Sequence, residues 1–163
     1  MSDRARLETI LKRLEEMPGI VETLFAGLED AVAAVAGPDD AFSPVEHCWH
    51  LVDLEREGFG SRIHRLLAET DPVLPDFDGD RIARERNYGG LSMMEGMKAF
   101  REARAVNVAA LRRVVGEAWT RSGTQEGEGR VSLRDIPSLM AAHDASHLRE
   151  MEGWLMSSHP KSR

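Results

Sequence analysis

Cysteine is almost missing: Cys48 is the only one in 163 residues. That excludes an internal disulfide and any thiolate cluster for zinc or iron–sulfur, and makes a reducing compartment the simplest setting. Aromatic residues are scarce, at three tryptophans, one tyrosine and five phenylalanines, too few for a platform on which bases could stack. Positive charge is in deficit. Twenty-eight acidic residues against 21 lysines and arginines leave a formal net charge of −7 at pH 7, which offers little to a phosphate backbone. The arginines are interleaved with glutamate, as in Arg101-Glu102-Ala103-Arg104, the pattern of a solvated helix surface. No apolar run reaches the roughly 18 residues of a membrane span, and residues 1–8 have no signal-peptide form. A cytoplasmic protein with neither membrane nor nucleic-acid partners is therefore expected. Alternating valine- and isoleucine-rich runs are lacking too, which argues against a β architecture.

What is present is helical periodicity. An apolar fraction of 42% over 163 residues suffices for one domain, 1–163, that buries its core without staples. Leu7, Ile10, Leu11 and Leu14 are spaced for a first amphipathic helix, interrupted near Pro18-Gly19. A further stretch runs from Ile20 to about Ala36 and stops at Gly37-Pro38-Asp39-Asp40. Ser43, Pro44 and Glu46 then mark the clearest helix start, a cap, a first-turn proline and a capping-box acid. That helix should run to about Glu69 with Val45, Trp49, Val52, Phe59, Ile63, Leu66 and Leu67 on one face. Gly58 and Gly60 inside it suit a close approach. Residues 71–90, rich in proline and glycine, read as a crossover bordering a pocket, with a short helix at 81–87. Ser92 and Glu95 open a helix that carries Met94, Met97, Arg101, Arg104, Val108, Leu111 and Val115 to about Trp119. Residues 121–130 are polar and glycine-rich, a loop, and Ser132 with Asp135 opens the last helix, where Pro137 is early enough to be tolerated. Four main helices and one long connection predict an all-α, four-helix up-down bundle.

Two histidines sit in that last helix. Ile136, Met140, His143, His147, Met151 and Trp154 fall within about 80° of one another on a helical wheel. Two polar rings in a core-facing stripe need partners. A metal ion held by both is the economical solution, since the four-residue spacing puts them on one side of the helix; structural histidines bonded to backbone or carboxylates are the alternative. Asp144 follows His143, so the chain lacks the His-Glu-x-x-His signature of zinc proteases. Two ligands bind weakly, and a third should come from elsewhere. His47, His50 and His64 lie on the second long helix, and His159 lies near the C-terminus. His64 is about 21 Å along the axis from His50, so the two cannot share an ion. His47 and His50, one turn apart, compete. The main apolar face of their helix misses His50 by more than about 100°, although Leu51 and Leu54 lie near it, and periodicity leaves the choice open.

Four stretches carry a resemblance: Phe42-Ser43-Pro44-Val45-Glu46-His47-Cys48-Trp49-His50-Leu51-Val52-Asp53-Leu54-Glu55; Arg104 after Phe100; Trp119-Thr120-Arg121-Ser122-Gly123; and His143-Asp144-Ala145-Ser146-His147-Leu148. In these, and in their order over nearly the whole chain, the sequence resembles the DinB-like superfamily of four-helix metal-binding proteins, which includes YfiT-like and thiol-transferase branches. The resemblance implies a bundle of that type, often a homodimer. It implies one divalent metal ion (zinc, nickel or iron) on His50, His143 and His147. It further implies a metal-dependent enzyme acting on a small molecule, with transfer of a low-molecular-weight thiol to an electrophile ahead of hydrolysis or isomerisation. The alternatives are a non-catalytic metal-binding protein of the stress response and a helical dimer that binds no metal. Two positions depart from the pattern: Leu148-Arg149-Glu150-Met151 replaces a frequent glutamine after the third histidine, and Phe42 replaces a frequent tryptophan. Neither removes a ligand, though Arg149 and Glu150 can alter the edge of a pocket.

Three neutral imidazoles would leave a divalent ion its positive charge and an open position. Catalytic partners are not fixed by the sequence, and the candidates are Glu46, Asp53, Glu57 and Arg104. The three acids lie within about 60° of His50 on the wheel, either as acceptors for a ligand imidazole or as surface charges. Arg104 shares a stripe with Met97 and Leu111, where it binds an anionic substrate or pairs with an acid between helices. Asp144 points about 100° away from His143, into a second layer or solvent. Cys48 reads as a small buried apolar residue rather than a nucleophile.

Overall fold

The computed structural model describes residues 3–158; Met1, Ser2 and His159 lie outside that range. Four long helical runs build it. Helix α1 spans Asp3–Leu24, and after the short α2 (Asp30–Ala33) comes α3 (Pro44–Asp53), which continues through a π-helical turn at Leu54–Phe59 into α4 (Gly60–Ala68). A short α5 (Gly79–Glu85) lies in the crossover, followed by α6 (Met93–Arg112) and α7 (Ile136–Ser158). Helix α1 packs on α6 and α7, and α3 on the same two, which is the four-helix bundle expected. The helix start at Ser43 is as its sequence predicts. Ser43 Oγ accepts from the Glu46 N–H at 3.4 Å and Glu46 Oε2 accepts from the Ser43 N–H at 2.8 Å, so both orphan donors are satisfied reciprocally.

Four expectations need correcting. Pro18 does not interrupt α1. A proline inside a helix leaves the carbonyl four residues earlier without its donor; here that carbonyl is Leu14 O, and Arg104 Nη1 reaches across from α6 to donate to it at 2.9 Å. The stretch to Ala36 is instead a turn through Gly27 and the four residues of α2. Helix α6 ends at Arg112, short of Trp119, because Val115 is extended and residues Gly116–Thr120 form a separate 3₁₀ turn. Finally, the supposed loop at 121–130 contains a hairpin. Strand β2 (Ser122–Gln125) pairs antiparallel with β3 (Gly129–Ser132), and β1 (Val73–Leu74) joins β2 in parallel. Its turn uses Gly127 and Gly129, both at positive φ, where glycine carries no steric cost. Only Val131 supplies a buried apolar side chain to these two strands, so the alternation that marks a strand was not there to be read.

The apolar interior forms two clusters. One gathers Leu14, Leu54, Ile63, Leu66, Leu111, Leu133 and Met140, and the other gathers Val21, Phe25, Cys48, Leu51, Phe100, Met151 and Trp154. Met140 belongs to the first and Met151 to the second, so His143 and His147 stand on α7 at the level where the two meet.

Candidate metal centre

The stripe on α7 and the first turns of α3 bring four imidazoles together. Ring centroids are 4.5 Å apart for His143 and His147, 4.6 Å for His50 and His147, and 5.6 Å for His50 and His143. One ring nitrogen from each of these three lies within 4.8 Å of the other two. His47 joins from one side, its Nδ1 3.1 Å from His147 Nδ1. His64 is exposed on α4. The helix carrying His50 and His47 is not one continuous α-helix. The π turn adds a residue, which shifts the phase of everything beyond it by about 100°. A wheel drawn straight through from Pro44 misses this.

Burial sets the protonation of the cluster. Desolvation, reinforced by repulsion from neighbouring imidazoles, takes His50 down to about 3, from His143 and His47, and His147 to about 3, from His50 and His143. His47 also falls to about 3, by burial and then by His147. His143 is lowered, chiefly by burial, with Arg62 and Arg104 adding to the effect and Asp144 opposing it. At neutral pH all four rings are uncharged, the form that binds a metal ion. Both nitrogens of His50 and Nδ1 of His143 are sealed from water and lack a hydrogen-bond partner among the described residues. Buried lone pairs left unused are costly, and three neutral nitrogen donors converging in this way suit zinc or a neighbouring divalent ion. His47, His147 and Glu150 form a second cluster that shares His147, with Glu150 Oε2 3.6 Å from His147 Nδ1 and 3.8 Å from His47 Nε2.

Aromatic rings and the crossover wall in His50. Phe42 lies 5.2 Å and Phe77 5.9 Å from its centroid, and Phe59 lies 6.1 Å from that of His143. Gly79 presses on the His50 ring so closely that a Cβ there would stand 2.5 Å from Cε1 and 2.8 Å from Nδ1. Surface grooves of about 240 and 400 Å³ run along α6 and are lined by none of the histidines.

The acids named from the wheel have other partners. Glu46 caps α3 through Ser43. Asp53 accepts from Arg86 at 2.6 Å and from the Tyr88 hydroxyl, and Glu57 accepts from Arg86 at 3.1 Å. None of the three accepts a hydrogen bond from an imidazole among the described residues. Arg104 pairs with acids between helices. It is 1% exposed, forked onto Asp144 at 2.7 and 2.8 Å and 2.8 Å from Glu55 Oε1. Asp144 is correspondingly buried, at 7% exposure, and by gripping Arg104 it fixes the rotation of α7 that aims His143 and His147 inward. Glu55 belongs to the π turn, and Asn107 Nδ2 donates both to its carbonyl at 2.8 Å and to its carboxylate at 2.7 Å. Gly60 admits this contact: a Cβ there would stand 2.4 Å from Glu55 O and 3.1 Å from Asn107 Oδ1. Burial raises the Glu55 carboxyl, with Asp144 adding and Arg104 and Asn107 opposing. Glu55, Asn107 and Gly79 were not singled out as site residues, and the one sequence signal for this network was an arginine on an apolar stripe. Cys48 is fully buried, and desolvation pushes its thiol up to about 12, so it holds its proton and supplies no thiolate.

The fold has relatives of known structure. YfiT from Bacillus subtilis, described as a probable metal-dependent hydrolase with an unusual four-helix bundle topology, superposes with a TM-score of 0.84 at 16% identity, over 93% of this chain and 86% of that one. A mycothiol-dependent maleylpyruvate isomerase superposes with a TM-score of 0.71 at 12% identity, over 93% of this chain and 63% of that one. At such identities the likeness is one of fold. No curated protein matches the chain in sequence. Among the described residues no helix is long and apolar enough to cross a membrane. The sequence model of the DinB superfamily matches residues 13–151, and the chain belongs to that superfamily.

Proposed function

We propose that this protein is a metal-dependent enzyme whose single divalent ion is held by His50, His143 and His147, and that it joins a low-molecular-weight thiol to an electrophilic small molecule. The observation that carries the reading is the convergence of three neutral imidazoles, two of which, His50 and His143, hold buried nitrogens with no hydrogen-bond partner among the described residues. A bound divalent ion would supply positive charge that stabilises a thiolate, or a hydroxide, at neutral pH.

The chain's own residues do the rest. His147 would offer Nε2, which leaves its Nδ1–H to donate to His47 Nδ1 at 3.1 Å; that bond fixes the tautomer and the ring plane. Phe42, Phe59 and Phe77 border the site and keep water away from it. The Arg104–Asp144 fork holds α7 in register, and Gly79 holds the His50 ring from the crossover. Support for a thiol as the partner comes from the resemblance in fold to the mycothiol-dependent isomerase; the description of YfiT as a probable metal-dependent hydrolase supports hydrolysis as the second reading.

The test is elemental analysis of protein purified without nickel affinity or added metal. One equivalent of a divalent ion is expected, lost on His50→Ala, His143→Ala or His147→Ala with the helical circular dichroism retained. Metal content unchanged by all three substitutions would refute the assignment. Turnover requiring thiol and electrophile together separates thiol transfer from hydrolysis.

A further inference from the structure

Among the described residues the bundle buries two arginines, and they differ in one respect. Arg104 has three carboxylate contacts and a carbonyl. Arg62, on α4, is 7% exposed, its Nε is sealed from water without an acceptor, and its guanidinium has no hydrogen bond or ion pair among the described residues. Its Cζ stands over the Phe59 ring at 5.3 Å from the centroid, and the His143 ring meets the same Phe59 at 6.1 Å. Arg62 therefore sits one aromatic ring away from the three-histidine centre, near enough for its charge to be felt at His143. Asp76 and Glu128 attract it without ion-pair contact.

A guanidinium does not neutralise itself by losing its proton, so burial without a contacting counter-ion is a standing cost. The face of one phenylalanine offsets a small part of that. An anion bridging between Arg62 and the histidines would offset the rest. The field of Asp76 and Glu128 favours a single negative charge over a double one, and the planar fork of arginine matches a carboxylate.

We propose that Arg62 is the anion-binding residue of this site and that the substrate, or the thiol that accompanies it, carries a carboxylate which docks there. This rests on the metal reading above, from which it takes the position of the reacting end of the molecule.

The experiment uses the full chain loaded with cobalt(II), whose visible absorption reports thiolate binding. Thioglycolate and 3-mercaptopropionate are titrated against 2-mercaptoethanol, which has a hydroxyl in place of the carboxylate. A charge-assisted pair predicts that at least one of the acids binds about tenfold or more tighter than the neutral thiol. Arg62→Met should abolish that preference and Arg62→Lys keep part of it, with cobalt content the same in all three proteins. A preference that survives in Arg62→Met, or one missing from the wild type, overturns the proposal.

A second arm separates the two ideas. In metal-free wild-type protein the Arg62 Nε–H resonance is followed while propionate is added. Uptake of no cobalt together with a saturable shift refutes the metal centre and supports the anion site. No shift and no thiol preference refutes the anion site alone.

Discussion

Replacing Gly79 by alanine asks whether the crossover holds the His50 ring in its place. The new Cβ would lie 2.5 Å from Cε1 and 2.8 Å from Nδ1 of His50, whereas carbon atoms rest about 3.5–4.0 Å apart. Something must therefore yield by about 1 Å. The backbone is no obstacle: Gly79 opens α5, and alanine in a helix gains up to about 1 kcal/mol over glycine. In the metal-free protein no hydrogen bond among the described residues holds the ring, so it can yield and the melting temperature should fall less than the metal affinity does. Metal-bound, the ring has no such freedom, because a zinc–nitrogen bond of about 2.0–2.1 Å tolerates only about 0.2 Å. A displacement of about 1 Å would strain or break one bond of three. The expected loss in affinity is about 10- to 100-fold, or about 1.4–2.7 kcal/mol. Zinc competition against a chromophoric chelator measures the affinity, and thermal denaturation of the metal-free form measures the fold. A variant that binds zinc within twofold of the wild type refutes the claim that Gly79 positions the ring. Equal losses in affinity and metal-free stability would show instead that the contact is one of general packing.

Two further outcomes follow from the buried polar groups. Arg104→Met strands Glu55, Asp144 and Leu14 O without their donor, so urea denaturation should show a loss of about 3–5 kcal/mol with an unchanged m-value; a loss under about 1 kcal/mol would contradict the network's role. Acid should destabilise the metal-free protein well before its carboxylates titrate. Between pH 6.5 and about 3 the unfolded chain protonates His47, His50 and His147 while the folded one leaves them neutral. Stability is thus complete above 6.5 and falls with pH through that window, by about 2 kcal/mol per histidine at pH 5. Urea midpoints that stay flat from pH 7 to 5 would show that these rings are not held neutral by burial.

Local rules carried the sequence furthest where the signal was itself local. The Ser43-Pro44-Glu46 start needs only three residues and its geometry is reciprocal, so it survived intact into the structure. The stripe through Ile136, Met140, His143, His147, Met151 and Trp154 is likewise a property of one helix; Met140, His147, Met151 and Trp154 are all buried. The failures occur where a distant residue changes the local outcome. Pro18 reads as a helix breaker because the sequence nearby holds no substitute donor, and the substitute is Arg104, 86 positions away. The π turn reads as ordinary helix because nothing in Leu54–Phe59 calls for an extra residue; Asn107, on another helix, binds the Glu55 carbonyl there.

The same helix carries the third ligand proposed above. On an unbroken wheel His50 lies off the apolar face, and His47 is as good a choice. In the structure both nitrogens of His50 are buried and unpartnered among the described residues, while His47 has its Nδ1 3.1 Å from His147 Nδ1 and only its Nε2 unpartnered. A charged or polar residue on an apolar stripe says that a partner exists, and only the packing of other helices says which. Arg104 met that demand with Asp144 and Glu55. Arg62, just beyond the same turn, does not meet it among the described residues, and a buried cation left open beside a cluster of neutral imidazoles is a demand addressed to something that binds.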